Sequence, residues 1–158
     1  KHSERLYDLY AAIVRKQIVR LGVLNGAYFA EMKRMFKDRF EIFGYFDGDN
    51  LVAFSSHIYY EHSMEIYYIG FSYSENEKYQ LYFNILFHGL QTAIEKGFTK
   101  IELGRTAKEA KASMGAEPAE NINYVCINNP FLKTLSNKIR KNFSKKMGEN
   151  WANRQPLK

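Results

Sequence analysis

The sequence predicts an α+β fold in which a mixed β-sheet is covered by helices, and three observations lead to this prediction. Apolar residues recur at helical spacing over the first 36 positions, and from residue 40 to residue 71 the pattern changes to that of strands. A helix with a broad apolar face then separates these strands from another apolar strand, an order that implies parallel pairing through a right-handed crossover. With 158 residues, of which 46% are apolar, the chain fits one domain with a real core, which we expect to span residues 1–147.

The individual elements follow from periodicity and from turn residues. Asp47 and Gly48 between aromatic and β-branched runs are a strong hairpin signal. Gly97 is placed to end the long helix, and a polar segment at 72–78 interrupts the pattern before that helix. The predicted order is helix 4–20, helix 25–36, strands 41–46, 51–60 and 64–71, helix 79–96, strand 99–103, a short helix after Thr106, strand 122–127 and helix 130–146.

The charge is unevenly distributed along the chain. The net charge is +6, but from residue 131 onward eight Lys or Arg residues face a single acid, so the remainder of the chain is close to neutral. The lysines on the outer face of the predicted 133–146 helix could contact tRNA or an anionic membrane surface. The alternative is a solvated amphipathic helix that covers the sheet. The tail at 148–158 is expected to fray.

Composition also limits the class of protein. No apolar run is long enough to cross a bilayer, and the first residues do not read as a secretory signal. The single cysteine, Cys126, excludes an internal disulfide and fits a reducing compartment, so we expect a cytoplasmic protein. The chain does not begin with Met, and we expect it to be part of a longer protein. Motifs for metal, nucleotide and serine-hydrolase sites are missing from the sequence, so no metal is expected.

The stretch I-E-L-G-R-T-A-K-E-A-K-A-S-M-G-A-E-P, residues 101–118, suggests an anion site. Thr106 and Glu109 have the spacing of a capping box, which would begin a short helix just after a strand. Arg105 beside that helix start offers a planar fork of donors, and Lys111 adds a second cation. The other interpretation is that Arg105 pairs with a nearby glutamate and that Lys111 is a solvated helix residue.

This stretch and the preceding L-Y-F-N-I-L-F-H-G-L-Q-T-A-I-E-K-G resemble the GNAT-type acyltransferases, and more narrowly their FemAB-like and CelD-like branch. The resemblance covers roughly residues 6–141. It implies a twisted mixed sheet that splays open between two strands, with the acyl donor entering the split. It also implies a cytoplasmic N-acyltransferase that uses acyl-CoA, or aminoacyl-tRNA, and acts on an amine of a small molecule or of an envelope or polysaccharide precursor.

The resemblance assigns roles to particular residues. Glu65 would be the base and Tyr124 the acid, while Arg105, Thr106 and Lys111 would hold an anionic part of a substrate. In typical members, a glycine loop before the long helix holds the diphosphate of coenzyme A. The corresponding segment here is Ser74-Glu75-Asn76-Glu77-Lys78-Tyr79, which has no glycine and contains two acids. Lys78 and Tyr79 are the expected cofactor-binding residues.

Two further inferences concern the strands around Glu65. Simple alternation predicts that Glu65 and Tyr67 share one face of their strand, while Ile66 and Tyr68 share the other. His57 is expected to be a strand-surface residue rather than a base. The rival to an enzyme is a non-catalytic binding half, because FemAB-like proteins pair two GNAT-like domains, and the second domain would lie elsewhere in the full chain.

Overall fold

A computed structural model describes residues 2–17, 22–104, 107–119 and 128. The chain divides into two compact units, residues 1–105 and 106–158. The elements of the first unit are α1 (Ser3–Arg15), α2 (Tyr28–Phe36), a 3₁₀ turn (Lys37–Arg39), β1 (Phe40–Asp47), β2 (Asn50–Tyr59), β3 (Ser63–Phe71), α3 (Tyr73–Tyr79), α4 (Leu81–Glu95) and β4 (Lys100–Glu102). The second unit contains α5 (Lys108–Ala112). The strand predicted at 122–127, the helix predicted at 130–146 and the tail lie outside the described residues.

The four strands form one mixed sheet in the order β1-β2-β3-β4. The first three strands are antiparallel neighbours, and β4 pairs parallel with β3. The helical segment from 73 to 95 supplies the crossover that a parallel pair requires. The predicted mixed sheet with flanking helices is therefore confirmed.

The hairpin between β1 and β2 forms where Asp47-Gly48 predicted it. Only Gly48 and Asp49 separate the two strands, and Gly48 has a φ of +56°, which glycine adopts without steric cost. Beyond this turn, Val52 is an extra residue without a partner on β1, so the pair contains a bulge. Val52 and Ala53 therefore point to the same face of the sheet, where both pack in one cluster with Ile85 of α4.

The helices cover both faces of the sheet. On one face, α1 and α2 bury a core that includes Leu9, Phe29 and Phe54, and on the other face α4 packs through Ile85. Gly70 of β3 allows α1 to approach closely, since a Cβ there would lie 2.7 Å from the backbone carbon of Leu9. The sheet is thus a layer between two sets of helices, as its alternating apolar residues require.

The long helix differs from the prediction at its start. The polar segment before it is not a loop but the separate helix α3. Gln80, with φ +50°, has a left-handed conformation that separates α3 from α4. The sequence did carry a signal for α3, because Ser72 and Glu75 have the S-x-x-E spacing typical of a helix start. At the other end, Gly97 has φ +74° and closes α4 as predicted.

Two smaller differences concern helix length. The first helix ends at Arg15, whereas the apolar spacing predicted residue 20; residues 18–21 lie outside the described part of the chain. Gly115 has φ +82° and closes the turn after α5, in agreement with the prediction. Within the described ranges, the helices are too short or too polar to cross a membrane.

Candidate active site

The parallel pair of β3 and β4 is unusually short. Its register holds for three residue pairs only, and the last of them sets Glu65 of β3 opposite Glu102 of β4. β3 continues for six more residues to Phe71, whereas β4 ends at Glu102. Among the described residues, no strand pairs with this side of β3 beyond Glu65. In the described part of the chain, the pairing of β3 with β4 therefore ends at Glu65, and we call the unpaired edge of β3 beyond it the opening of the sheet.

A β-bulge lies just beyond that opening. In the register between β2 and β3, His57 pairs with Ile66 and Ser56 pairs with Tyr68, so Tyr67 is the extra residue. A classic bulge turns the side chains of two successive residues to one face and increases the local twist.

The bulge corrects the face assignment that simple alternation predicted. Tyr68 packs edge-on against Tyr10 and Phe29, on the face covered by α1 and α2. Tyr67 reaches the same face, where its hydroxyl lies 2.9 Å from that of Tyr28 in α2. Ile66 points the other way, towards Gly89 of α4. The prediction that Tyr68 shares the face of Ile66 is therefore wrong, because alternation fails at a bulge.

Glu65 lies at the edge of the opening with its carboxylate partly withdrawn from water. The hydroxyl of Tyr60 donates a hydrogen bond to Glu65 Oε2 at 3.3 Å. Burial and the facing carboxylate of Glu102 raise the pKa of Glu65, and the bond from Tyr60 opposes part of that rise. A carboxylate with a raised pKa accepts a proton more readily near neutral pH, which suits a general base.

Two more phenol groups, those of Tyr67 and Tyr68, lie near enough to Glu65 on this face for its charge to raise their pKa. Tyr67 is hydrogen-bonded to Tyr28, and its ring lies 4.5 Å from that of Tyr68. Burial and the bond to Tyr28 raise the pKa of Tyr67 to about 12, so its phenol is neutral at physiological pH. The opening therefore presents one carboxylate and several neutral hydroxyls, a set that can exchange protons and position a polar substrate.

The predicted cofactor residues Lys78 and Tyr79 are the last two residues of α3, and both contact Asp47 at the end of β1. The hydroxyl of Tyr79 donates to Asp47 Oδ2 at 2.8 Å, and Lys78 Nζ lies 4.0 Å from the same oxygen. In the first turn of α4, the N–H of Tyr82 is already bonded to Asn76 Oδ1 at 3.0 Å. Because this segment is helical, lacks glycine and carries acids, its described residues do not fit the glycine-loop mode of holding a diphosphate.

The remaining predicted site residues belong to the region after β4. Arg105, Thr106 and Tyr124 lie outside the described residues, so the roles assigned to them stay predictions. Lys111 is buried in α5, and burial lowers its pKa, so it is not the solvated surface lysine of the alternative interpretation. α5 begins at Lys108 after Ala107, one residue later than a capping box from Thr106 would start it.

A second polar cluster, which sequence reasoning missed, lies on the opposite face of the sheet beneath α4. Its members are Tyr45 of β1, Ser55 and His57 of β2, and His88 of α4; these four residues are the buried relay. Ser55 Oγ lies 3.1 Å from His57 Nε2 and 3.2 Å from the hydroxyl of Tyr45, which in turn lies 2.8 Å from His88 Nδ1.

His57 is fully buried, so the expectation of a strand-surface residue is wrong. Within the described part of the chain, its Nδ1 has no hydrogen-bond partner. Burial and the neighbouring His88 lower the pKa of His57 to about 4, so the ring is neutral at pH 7. The sequence signal for this cluster was the spacing of Ser55 and His57, which are two residues apart on β2 and therefore point to the same face, the one that α4 covers.

Comparison with known families agrees with this geometry. Residues 3–112 match the family model described as an acetyltransferase (GNAT) domain. The chain belongs to the GNAT acetyltransferase family. As a member of that family it is an acetyltransferase, and the opening of its sheet at Glu65 lies within the matched residues. No curated protein matches the chain.

Solved structures share the fold at low sequence identity. One is described as a probable acetyltransferase, with a TM-score of 0.59, 14% identity, and coverage of 81% of this chain and 93% of the other. Another is an aminoglycoside acetyltransferase from an uncultured soil metagenomic sample, in complex with sisomicin. Its TM-score is 0.55 at 12% identity, and the match covers 79% of this chain and 88% of the other. A third is a ribosomal-protein-alanine N-acetyltransferase from Brucella melitensis biovar Abortus 2308. Its TM-score is 0.53 at 17% identity, and the match covers 80% of this chain and 92% of the other. At these identities, the likeness shows the fold alone.

Proposed function

We propose that this GNAT acetyltransferase is an N-acyltransferase of the FemAB-like type, in which Glu65 is the general base for an amine acceptor. One observation carries the proposal: Glu65 occupies the last paired position of β3 and β4, where the sheet opens. Its raised pKa supports the role, since a base must hold a proton taken from an amine. An amine acceptor also suits the N-acetyltransferase and aminoglycoside acetyltransferase among the structural relatives.

The step assigned to Glu65 is a single proton transfer. A protonated amine gives one proton to the Glu65 carboxylate, which leaves a neutral amine with a free electron pair and a neutral carboxyl group. The neutral amine then attacks the acyl carbonyl, so that a C–N bond forms while the bond from the acyl carbon to the donor's sulfur, or to the ester oxygen of an aminoacyl-tRNA, breaks. The attacking nitrogen loses a second proton as the amide forms, which replaces the proton that an acid donates to the leaving group. Tyr124 is proposed as the acid that protonates the leaving group, and Arg105, Thr106 and Lys111 as the residues that hold an anionic part of a substrate.

Acyl-CoA is the proposed donor, with Lys78 and Tyr79 near its phosphates. The lack of a glycine loop gives aminoacyl-tRNA a place as the alternative donor, and the basic 133–146 segment would then contact the tRNA. The proposed acceptor is an amine of a small molecule or of a cell-envelope or polysaccharide precursor. The proposed setting is the cytoplasm, together with a second GNAT-like domain elsewhere in the full chain.

The second candidate function is a non-catalytic binding half of a two-domain FemAB-like protein. It is favoured by the segment before α4, where Glu75 and Glu77 stand in place of glycine and Asn76 occupies the N–H of Tyr82. Under this hypothesis the opening at Glu65 would bind an amine-bearing ligand without transferring a group to it.

Calorimetric titration with acetyl-CoA and with free coenzyme A separates the two candidates, with Arg105→Ala as the control variant. The enzyme hypothesis predicts saturable binding of acetyl-CoA and release of free thiol when amines are added. Binding of an aminoacyl-tRNA with no response to acetyl-CoA would identify the alternative donor. If neither donor binds at millimolar acetyl-CoA or micromolar tRNA, the binding-half hypothesis is favoured instead.

A further inference from the structure

We propose that Tyr67 contacts the acceptor amine beside Glu65, and that Tyr28 is a positioning residue that holds Tyr67 in place. This inference rests on the proposed function, because it names the group that orients the amine for proton transfer to Glu65. It concerns two residues to which the sequence patterns assigned no role in the reaction.

The location of Tyr67 carries the first step. It is the bulged residue of β3, two positions beyond the last pair of β3 with β4, so it stands at the edge of the opening. Tyr67 lies on the face covered by α1 and α2, and Glu65 points to that face because Ile66 between them points to α4. A substrate that reaches Glu65 through the opening therefore meets Tyr67 as its next polar neighbour on β3.

The hydroxyl pair carries the second step. The oxygens of Tyr28 and Tyr67 lie 2.9 Å apart, which is a normal hydrogen bond between groups that can each donate or accept. One proton is used within the pair, so the accepting hydroxyl keeps its own proton and a free lone pair for another partner. With Tyr28 donating, Tyr67 can accept an N–H of an amine while Glu65 takes a different proton from the same nitrogen.

The packing of Tyr28 carries the third step. Its ring makes edge-to-face contacts with Phe29 at 5.5 Å and with Tyr68 at 6.0 Å. These contacts fix the ring independently of its hydroxyl, so Tyr28→Phe removes only the bond to Tyr67. Tyr28 does not have to touch the substrate, and its effect on the reaction would pass through the orientation of Tyr67.

Steady-state kinetics with acetyl-CoA as donor and n-butylamine as acceptor test these roles. Tyr67→Phe should lower kcat/KM for butylamine about tenfold, the size expected for loss of one hydrogen bond of about 1.4 kcal/mol, and leave the KM for acetyl-CoA unchanged. Tyr28→Phe should give a smaller loss. The double variant should match Tyr67→Phe alone, because Tyr28 acts only through Tyr67. Additive losses would overturn the positioning role.

The matched control is Tyr45→Phe, which removes a paired tyrosine hydroxyl from the opposite face of the same sheet. Measured well below its melting temperature, this variant should retain the wild-type kcat/KM for butylamine. A loss as large as that of Tyr67→Phe would show that either hydroxyl acts only through the stability of the sheet, and would overturn the inference.

A measurement without turnover separates this inference from the proposed function. In protein labelled with ¹³Cζ-tyrosine, the Tyr67 signal is assigned by its loss in Tyr67→Phe, and millimolar butylamine is added. A shift of that signal, reduced in Tyr28→Phe, supports the inference even if no acetyl transfer occurs, in which case the proposed function fails alone. Acetyl transfer with an unmoved Tyr67 signal overturns the inference alone. If neither occurs, both are overturned.

Discussion

The two faces of the central sheet each carry a cluster of tyrosines and titratable groups, but they differ in access to water. Beneath α4, His57 and Ser55 of the buried relay have 0% exposure. On the other face, Glu65 and Tyr67 are half-buried, and Tyr60, which donates to Glu65, is 53% exposed. Tyr45 and His88, the other two members of the relay, are only half-buried, so the difference lies in the two fully buried residues on β2. We call the face beneath α4 the closed face and the face that carries Glu65 the open face.

Electrostatics separates the two clusters in the same way. Burial lowers the pKa of His57 to about 4, which keeps it neutral and removes charge from the interior. Burial and Glu102 raise the pKa of Glu65, which prepares it to accept a proton at the opening. We therefore propose that the cluster beneath α4 contributes to stability and that the reaction takes place on the face covered by α1 and α2.

The largest expected effect is on the open face. Glu65→Gln keeps the shape of the side chain but removes the base, and kcat should fall by about 10²–10⁴-fold. The melting temperature at pH 7 should not fall, because folding raises the pKa of Glu65 and its ionised form therefore destabilises the folded state relative to a neutral side chain. Transfer rates and thermal melts of the two proteins measure both quantities; an unchanged kcat would remove Glu65 from the mechanism.

The next effect concerns the closed face and its response to acid. The unfolded state protonates His57 near pH 6.5 and the folded state only near pH 4, so stability is full above pH 6.5 and falls as the pH drops through that window. Relative to His57→Gln, the wild type should lose about 3 kcal/mol between pH 7 and pH 4. Glu41, Lys96 and His88 also face this ring, and they remain in both proteins.

Urea unfolding at several pH values measures this difference in slope. The His57→Gln variant is the baseline for the wild type, because acids elsewhere in the chain titrate equally in both proteins. Parallel pH curves for wild type and His57→Gln would mean that His57 titrates in the folded state as it does in the unfolded state, contrary to its burial.

A smaller effect is expected when one tyrosine hydroxyl is removed from each face and stability and activity are compared. Tyr45→Phe removes two hydrogen bonds of the buried relay and should cost about 1–2 kcal/mol of unfolding free energy, with activity unchanged at 25 °C. Tyr67→Phe should show the reverse, with lower activity and a smaller loss of stability, because it removes one hydrogen bond between half-buried groups rather than two. Chemical denaturation and initial rates for this pair measure the contrast, and equal behaviour of the two variants would abolish it.

The smallest effect is a shift in pH dependence at the opening. Glu102→Gln removes the carboxylate that faces Glu65 and helps to raise its pKa. Activity requires ionised Glu65, so the acidic limb of the kcat/KM profile should move to lower pH in the variant. A limb that stays in place would assign it to another group, and the same profile for Glu61→Gln, an exposed acid in the β2–β3 turn, is the control.

Among the described residues, the sequence by itself determined the order of the strands and of every helix except α3, because this order depends on local signals. Periodicity separated helices from strands, Asp47-Gly48 fixed the hairpin, and Gly97 fixed the end of α4. Through the family resemblance, the sequence also predicted Glu65 as the base, because it lies on the strand where such a base is expected; that role stays a prediction. The S-x-x-E spacing at Ser72 does not by itself predict a helix, because the segment that follows it lacks an apolar stripe.

Only the tertiary structure decided what surrounds those residues. The bulge at Tyr67 arises from the register between β2 and β3, so no pattern within β3 alone reveals it. The burial of His57 depends on α4, thirty residues further along the chain, which brings His88 over the strand. Local propensity acts over a few residues, whereas register and burial are set by contacts between distant ones, and it is those contacts that separate the closed face from the open face.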